Sequence, residues 1–297
     1  MEKKEYFLNT RKIIPEILKL FEDYNIACTW ATVGMLFNQN WEEWNANMPE
    51  VLPNYKNRAL SAYSYGKKIQ SEENEVLCFA PDIIKSIVNT PRQEVATHTY
   101  SHYYCLEHAQ TIHSFETDLQ QCVDMAILCG VNLTSLVFPR NQFNKEYLKV
   151  CKNLGIDNVR SNPTDWYWRS TKNNSILNKI FRTGDAYVGL NDKSYKQPED
   201  PINFNLPISQ KASRFLRPYS TNKRFNDLKL KRIKGEMTKA ALNGEIYHLW
   251  WHPHNFGNHP DESLEDLKQL LIHFDNLRKK HGYSSLNMDD IGRLVKK

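Results

Sequence analysis

Glu94-Val95-Ala96-Thr97-His98-Thr99-Tyr100-Ser101-His102 reads as a short strand over 94–97 that runs directly into two histidines four residues apart. At that spacing two imidazoles share one face of a helical turn and reach a single ion together. The hydroxyls of Thr99 and Ser101 are placed to orient an adjacent ligand or the turn itself. His108 and His113, in polar surroundings, read as surface residues.

The same grammar repeats on both sides. Ile14, Ile17, Leu18 and Phe21 recur at helical spacing, with Pro15 expected in a first turn and the helix ending near Asn25. A strand over 26–31 comes next, with Gly34 as the turn beyond it. A helix over 81–90 precedes the histidine strand. After it come a helix over 115–127 closed by Gly130, a strand over 135–138 stopped by Pro139, a helix over 146–154 and a strand over 156–159. Farther on, 225–242 reads as a helix, 245–251 as a strand and 263–280 as a helix opened by a capping box of Ser263 and Asp266. Residues 37–68, with Trp41, Trp44 and Met48 scattered among polar residues, look like an aromatic-packed insertion. Residues 161–223 read as long loops.

Strands alternating with helices imply parallel pairing through right-handed crossovers. His98 to His102, Pro139 to Asn141 and Trp251 to Asn255 all directly follow strands, so a barrel gathers them on its C-terminal face. The expectation is one α/β domain over 1–297, with an open doubly wound sheet as the alternative. No glycine-rich dinucleotide loop, phosphate loop or repeat is present.

Composition narrows the class. A 40% hydrophobic content supports a real core in 297 residues, and the net charge of +5 is dispersed. The densest basic stretch, 223–234, is interrupted by Leu228, Leu230 and Ile233, as on the wet face of a helix, so a nucleic-acid partner is not expected. No apolar run approaches the roughly 20 residues that cross a bilayer. MEKKEYFLNT lacks the apolar core of a secretory signal. Six cysteines without a CxxC pair read as free thiols in a reducing compartment, and the cytoplasm is the expected location.

Thr97-His98-Thr99-Tyr100-Ser101-His102 resembles the second motif of the polysaccharide deacetylase family (carbohydrate esterase family 4, with its NodB-like domain). The stretch from Ala27 to Gly34 is similar to the strand that follows that domain's first helix. Phe138-Pro139-Arg140-Asn141 is similar to its third motif, and Trp251-His252-Pro253 to its last. The resemblance implies a distorted (β/α) barrel with fewer than eight parallel strands. It also implies Zn2+, or another divalent metal, held by two histidines and an aspartate. By position, His98 and His102 become metal ligands and His252 the general acid. Arg140 holds a carboxylate beside the metal, and the turn at Asn141 offers a backbone N–H to an oxyanion. Trp30, Trp251, His254 and Asn255 are the expected substrate-binding residues.

The family's first motif carries both the metal aspartate and the base aspartate, on a strand before the first helix. Residues Met1 to Thr10 contain no aspartate, and Glu2 and Glu5 lack the motif's context. Either that first strand is missing or it lies upstream of Met1, and the metal site is expected to be weak or empty. The function implied is removal of N-acetyl groups from a sugar, on a carbohydrate that is lipid- or nucleotide-linked if the protein is cytoplasmic. A non-catalytic carbohydrate-binding scaffold and a barrel-type hydrolase of small amides are the competing expectations.

Overall fold

The computed structural model describes residues 4–163, 165–168, 176–187, 189, 191–197 and 203–296. In chain order the elements are α1 (Lys4–Asp23), β1 (Cys28–Thr32), α2 (Trp41–Ala46), α3 (Ala62–Ile69), α4 (Glu72–Cys78), α5 (Pro81–Asn89), β2 (Gln93–Thr97), α6 (Ile112–Leu128), β3 (Ser135–Leu136), α7 (Lys145–Asn153), β4 (Asn158–Ser161), α8 (Ile176–Gly184), β5 (Ile208–Lys211), β6 (Arg214–Phe215), α9 (Lys223–Asn243), β7 (Leu249–Trp250), α10 (Pro260–His281) and α11 (Met288–Lys296). They divide into two compact units. One, the sheet unit, is Ala27–Arg160, Ile202–Gln210 and Leu286–Lys297. The other, the helical unit, is Met1–Ile26, Ser161–Pro201 and Lys211–Ser285.

The sheet unit is built on five parallel strands in the order β1-β2-β3-β4-β5. β1 and β2 pair from Cys28 with Gln93 to Thr32 with Thr97, Thr97 then meets Leu136, and Leu136 meets Val159. β5 joins the edge through the Ile208 N–H, which donates to the Asp157 carbonyl at 2.7 Å. Short runs such as Val95-Ala96 and Val137-Phe138 are buried, as parallel strands covered on both faces require. Phe115, Leu119 and Cys122 of α6 lie fully buried beneath them. α11 closes the N-terminal edge. The Met288 N–H donates to Thr29 Oγ1 at 2.8 Å and the Asp289 N–H to Glu94 Oε2 at 3.2 Å. Gln210 Nε2 reaches the Met288 carbonyl at 2.8 Å, and Lys296 pairs with Asp157 at 2.6 Å.

The helical unit packs the apolar stripes of α1 (Ile13, Ile17, Leu18, Phe21), α9 (Leu230, Ile233, Met237) and α10 (Leu267, Leu270, Phe274) into one core. Its strands β6 and β7 are parallel, Arg214 against Leu249 and Phe215 against Trp250. Lys229 of α9 is buried and pairs with Asp266 of α10 at 2.9 Å.

The fold class is as expected: α/β, with fewer than eight parallel strands, as in a distorted (β/α) barrel. Several details differ. Pro15 lies inside α1, which begins at Lys4, so that helix gives up one interior hydrogen-bond donor. Residues 37–68 contain α2 and α3, packed through rings as anticipated: Trp41 and Trp44 centroids are 5.4 Å apart, and Trp44 stacks on Tyr63 at 5.9 Å. Residues 161–223 contain α8, β5 and β6 rather than loops alone. The strand expected over 245–251 shrinks to Leu249–Trp250. α10 starts at Pro260, and Ser263 and Asp266 are buried within it rather than capping it. Cys105, Cys122 and Cys151 are buried free thiols, whereas Cys129 is exposed. Among the described residues no helix is long and apolar enough to cross a membrane.

Candidate functional site

The histidine pair does not lie on a helix. Beyond β2 the chain turns without helical structure, and Thr99 and His102 hold φ of 63° and 59°. Left-handed backbone costs a non-glycine residue roughly 1–2 kcal/mol, so the surroundings must impose it. Thr97 Oγ1 accepts the Thr99 N–H at 2.9 Å, and Thr99 Oγ1 accepts the Tyr103 N–H at 2.7 Å. From α6, the buried Asp118 carboxylate accepts the N–H groups of Tyr100 (2.8 Å) and Ser101 (3.2 Å) and the Ser101 hydroxyl. Across the sheet edge, the N–H groups of Gly34 and Met35 donate to the carbonyls of Thr99 and Tyr100 at 2.9 and 3.0 Å. Gly34 is needed for this approach, because a Cβ there would lie 2.7 Å from Cys122 Sγ and 2.8 Å from Tyr100 Cδ2.

So held, the rings of His98 and His102 meet at 4.7 Å between centroids, tilted by 64°. His98 Nδ1 lies 2.5 Å from the Val137 carbonyl. A carbonyl only accepts, so Nδ1 carries the proton and Nε2 the lone pair, the tautomer a metal-binding histidine needs. Burial, helped by the Arg140 charge, lowers His102 to about 4, so this ring is neutral at pH 7. The donor chemistry therefore fits a divalent metal at two positions, where zinc takes four. Among the described residues no group of three His, Cys, Asp or Glu side chains is placed to hold one ion.

Arg140 and Asn141 sit in a 3-10 turn over Pro139–Asn141, at φ 53° and 50°. The Arg140 guanidinium lies 4.3 Å over the Tyr104 ring and 3.4 Å from Glu107, and Tyr104 in turn packs edge-on against His102 at 5.0 Å. Arg140 thus meets a carboxylate, though on a half-exposed surface. The expected oxyanion donor is a correction. The Asn141 N–H is already donated to the Phe138 carbonyl at 2.8 Å, because the tight turn closes on itself. The Asn141 side-chain oxygen accepts from the buried Arg160 at 3.1 Å. Trp30 is also corrected. It is a mid-strand core residue whose indole N–H donates to Gln93 at 2.9 Å, leaving little of the ring to meet a ligand.

The helical unit holds the other expected residues. His252 is exposed at the end of β7 and stacks on His254, centroids 5.0 Å apart and planes 6° from parallel. Burial lowers the His254 pKa. Trp251 turns away, packing against Phe21 at 6.2 Å and Phe256 at 6.2 Å. The aromatic wall beside His252 is instead Trp250 (5.7 Å) and Phe215 (5.9 Å), since strand alternation sends neighbouring tryptophans to opposite faces. Asn255 caps none of this chemistry, and its Nδ2 is buried without a partner among the described residues. Asp118 was not anticipated. Its signal was available: a carboxylate in the same helical stripe as Phe115, Leu119 and Cys122.

Residues 8–159 match the family model described as polysaccharide deacetylase. No curated protein sequence matches the chain. Among solved structures it is similar to a "putative polysaccharide deacetylase" from Mycobacterium smegmatis, with a TM-score of 0.61 at 12% identity over 100% of this chain and 81% of that one. It is also similar to a "probable Polysaccharide deacetylase" from Pseudomonas aeruginosa PAO1, with a TM-score of 0.54 at 10% identity over 95% and 71%. A third likeness is to Puue allantoinase, with a TM-score of 0.51 at 12% identity over 93% and 70%. At these identities the structural likeness shows the fold alone.

Proposed function

The chain belongs to the polysaccharide deacetylase family, and from that premise we propose that it is a metal-dependent hydrolase that removes an N-acetyl group from a sugar. The observation that carries this reading is the histidine pair: one ring fixed through Nδ1 by the Val137 carbonyl, the other kept neutral, their centroids 4.7 Å apart. His98 and His102 would hold the metal. Bound there, it would supply Lewis acidity to the acetyl carbonyl and to the attacking water.

The chain's own groups do the rest. Water adds to the carbonyl, the C–N bond breaks, and the amine must leave with a proton. The resemblance of Trp251-His252-Pro253 to the family's last motif makes His252 the candidate donor. His252 is exposed and stacks on His254, whose pKa burial lowers. Trp250 and Phe215 offer the flat apolar faces on which a sugar ring packs. No general base is assigned. Glu5 is exposed on α1, and Glu2 lies outside the described residues.

One observation favours a second reading, a carbohydrate-binding protein without turnover: the N–H of Asn141 is spent within its own turn and offers nothing to an oxyanion. Zinc stoichiometry and acetate release from N-acetylated glycans separate the two, with small amides screened alongside. The hydrolase reading expects zinc and acetate release, both lost in His98→Ala. His252→Ala should keep its zinc and lose roughly 10²–10⁴ in rate. Zinc content and acetate release unchanged by His98→Ala would remove the histidine pair from the chemistry. Tight glycan binding with neither zinc nor acetate would establish the second reading.

A further inference from the structure

The helical unit contains a small cavity, of about 30 Å³, walled by Trp168, Arg182, Asp185, Arg214, Phe215 and Arg217. A single water needs about 10–15 Å³, so the space suits a compact polyatomic ion and is far too small for a sugar ring. Three guanidiniums and one carboxylate face it, and their pairing is unequal. Asp185 is shared by Lys193 (3.2 Å), Arg214 (3.4 Å) and Arg232 (3.8 Å). Arg214 is further held by both Glu236 oxygens, at 2.6 Å each. The acid on the wall is therefore shared among several cations, two of which, Arg214 and Arg232, also pair with Glu236.

Arg217 is different. Its Nη2 donates to the Arg182 carbonyl at 3.0 Å and to Thr183 Oγ1 at 3.3 Å, both neutral acceptors. Its Nε is buried with no acceptor among the described residues. Burial lowers the pKa of Arg217, and the nearby Asp185 charge only partly offsets that. Arg182 is aligned beside it, its guanidinium 5.0 Å over the Trp168 ring and its Nε donating to the Tyr167 carbonyl at 2.7 Å.

We propose that this cavity is an oxyanion site that takes a phosphoryl group, and that the ligand of the helical unit is a phosphorylated saccharide. Guanidinium forks match the spacing of phosphoryl oxygens and bind them through paired, charge-assisted hydrogen bonds. Phe215 joins the two parts of such a ligand. It walls the cavity and also packs on Trp250 at 4.6 Å and on His252 at 5.9 Å. A phosphoryl group in the cavity leaves an attached sugar beside that aromatic surface. The saccharide half rests on the carbohydrate reading above; the phosphoryl half does not.

Calorimetric titration of the full chain tests the two halves separately, with inorganic phosphate, acetate, N-acetylglucosamine and N-acetylglucosamine 1-phosphate as probes. Phosphate should bind, acetate should bind more weakly, and Arg217→Gln should weaken phosphate by about tenfold or more. The sugar phosphate should bind more tightly than either fragment. Phosphate binding that is absent, no stronger than acetate, or unchanged in Arg217→Gln would overturn the site. A sugar phosphate no tighter than phosphate would overturn the saccharide half and leave the site standing. Should Arg217→Gln fail to fold, Arg217→Lys keeps the charge but loses the fork, and several-fold weakening is the required result. Vesicles of phosphatidylcholine with phosphatidic acid distinguish the source. Competition with phosphate that depends on Arg217 assigns the phosphoryl group to a lipid, and no competition assigns it to a soluble sugar phosphate.

Discussion

Asp118 carries more of the histidine loop than any residue the motif names. Its carboxylate accepts from two backbone N–H groups and from the hydroxyls of Ser101 and Tyr63, yet burial outweighs those bonds and raises its pKa from 3.8 to about 6. The folded chain thus holds this proton more tightly than the unfolded chain. Its contribution to stability is complete below about pH 4 and is lost as pH rises through about 6, by on the order of 3 kcal/mol at most. Asp118→Asn should flatten that part of the stability–pH curve, and Asp118→Ala should cost about 3 kcal/mol or more at pH 5 by orphaning its buried donors. Urea melts at several pH values check both; a slope between pH 4 and 6 that survives in Asp118→Asn would reassign the titration. Gly34→Ala should cost about 1–3 kcal/mol through overpacking against Cys122 and Tyr100, measured the same way. At this scale the sequence made the histidines legible, because a strand end followed by His-x-x-x-His is a local pattern. It did not make their support legible. The left-handed φ of Thr99 and His102, the closed turn at Asn141 and the grip of Asp118 arise from groups that meet only after folding.

Elements divide along the same line. The helices α1, α6, α9 and α10 could be read from apolar periodicity because each spans several turns. β5 and β6, with four and two residues, and α2, with six, are too short to express a period, so their regions read as loops or insertion. β7, only two residues long, still imposes strand alternation on its end. Trp250 and Trp251 occupy opposite faces, and only Trp250 adjoins His252. Trp251→Ala should therefore lower stability, by about 3 kcal/mol, through lost packing on Phe21 and Phe256. Trp250→Ala should chiefly weaken binding of an oligosaccharide. Denaturant melts and glycan titrations of both variants give the ordering; a larger loss of binding in Trp251→Ala would return that residue to the ligand surface.

Over the whole molecule, neither compact unit is a continuous piece of sequence. Residues 8–159, the stretch that matches the family model, begin in the helical unit and then supply only part of the sheet unit. They omit β5 and α11, and with them the contacts of Met288, Asp289 and Lys296 to Thr29, Glu94 and Asp157. A fragment of residues 8–159 should lack a cooperative urea transition and near-ultraviolet dichroism, which the full chain should show; a sharp transition in the fragment would mean that β1 to β4 are self-sufficient. The clasp of α11 on the first strands also has a meaning during translation. At roughly 5–20 residues per second, a ribosome that has finished β4 needs on the order of ten seconds to deliver α11. Throughout that interval the earliest strands wait without their last partner, and Thr29 and Glu94 lack the N–H donors that α11 brings.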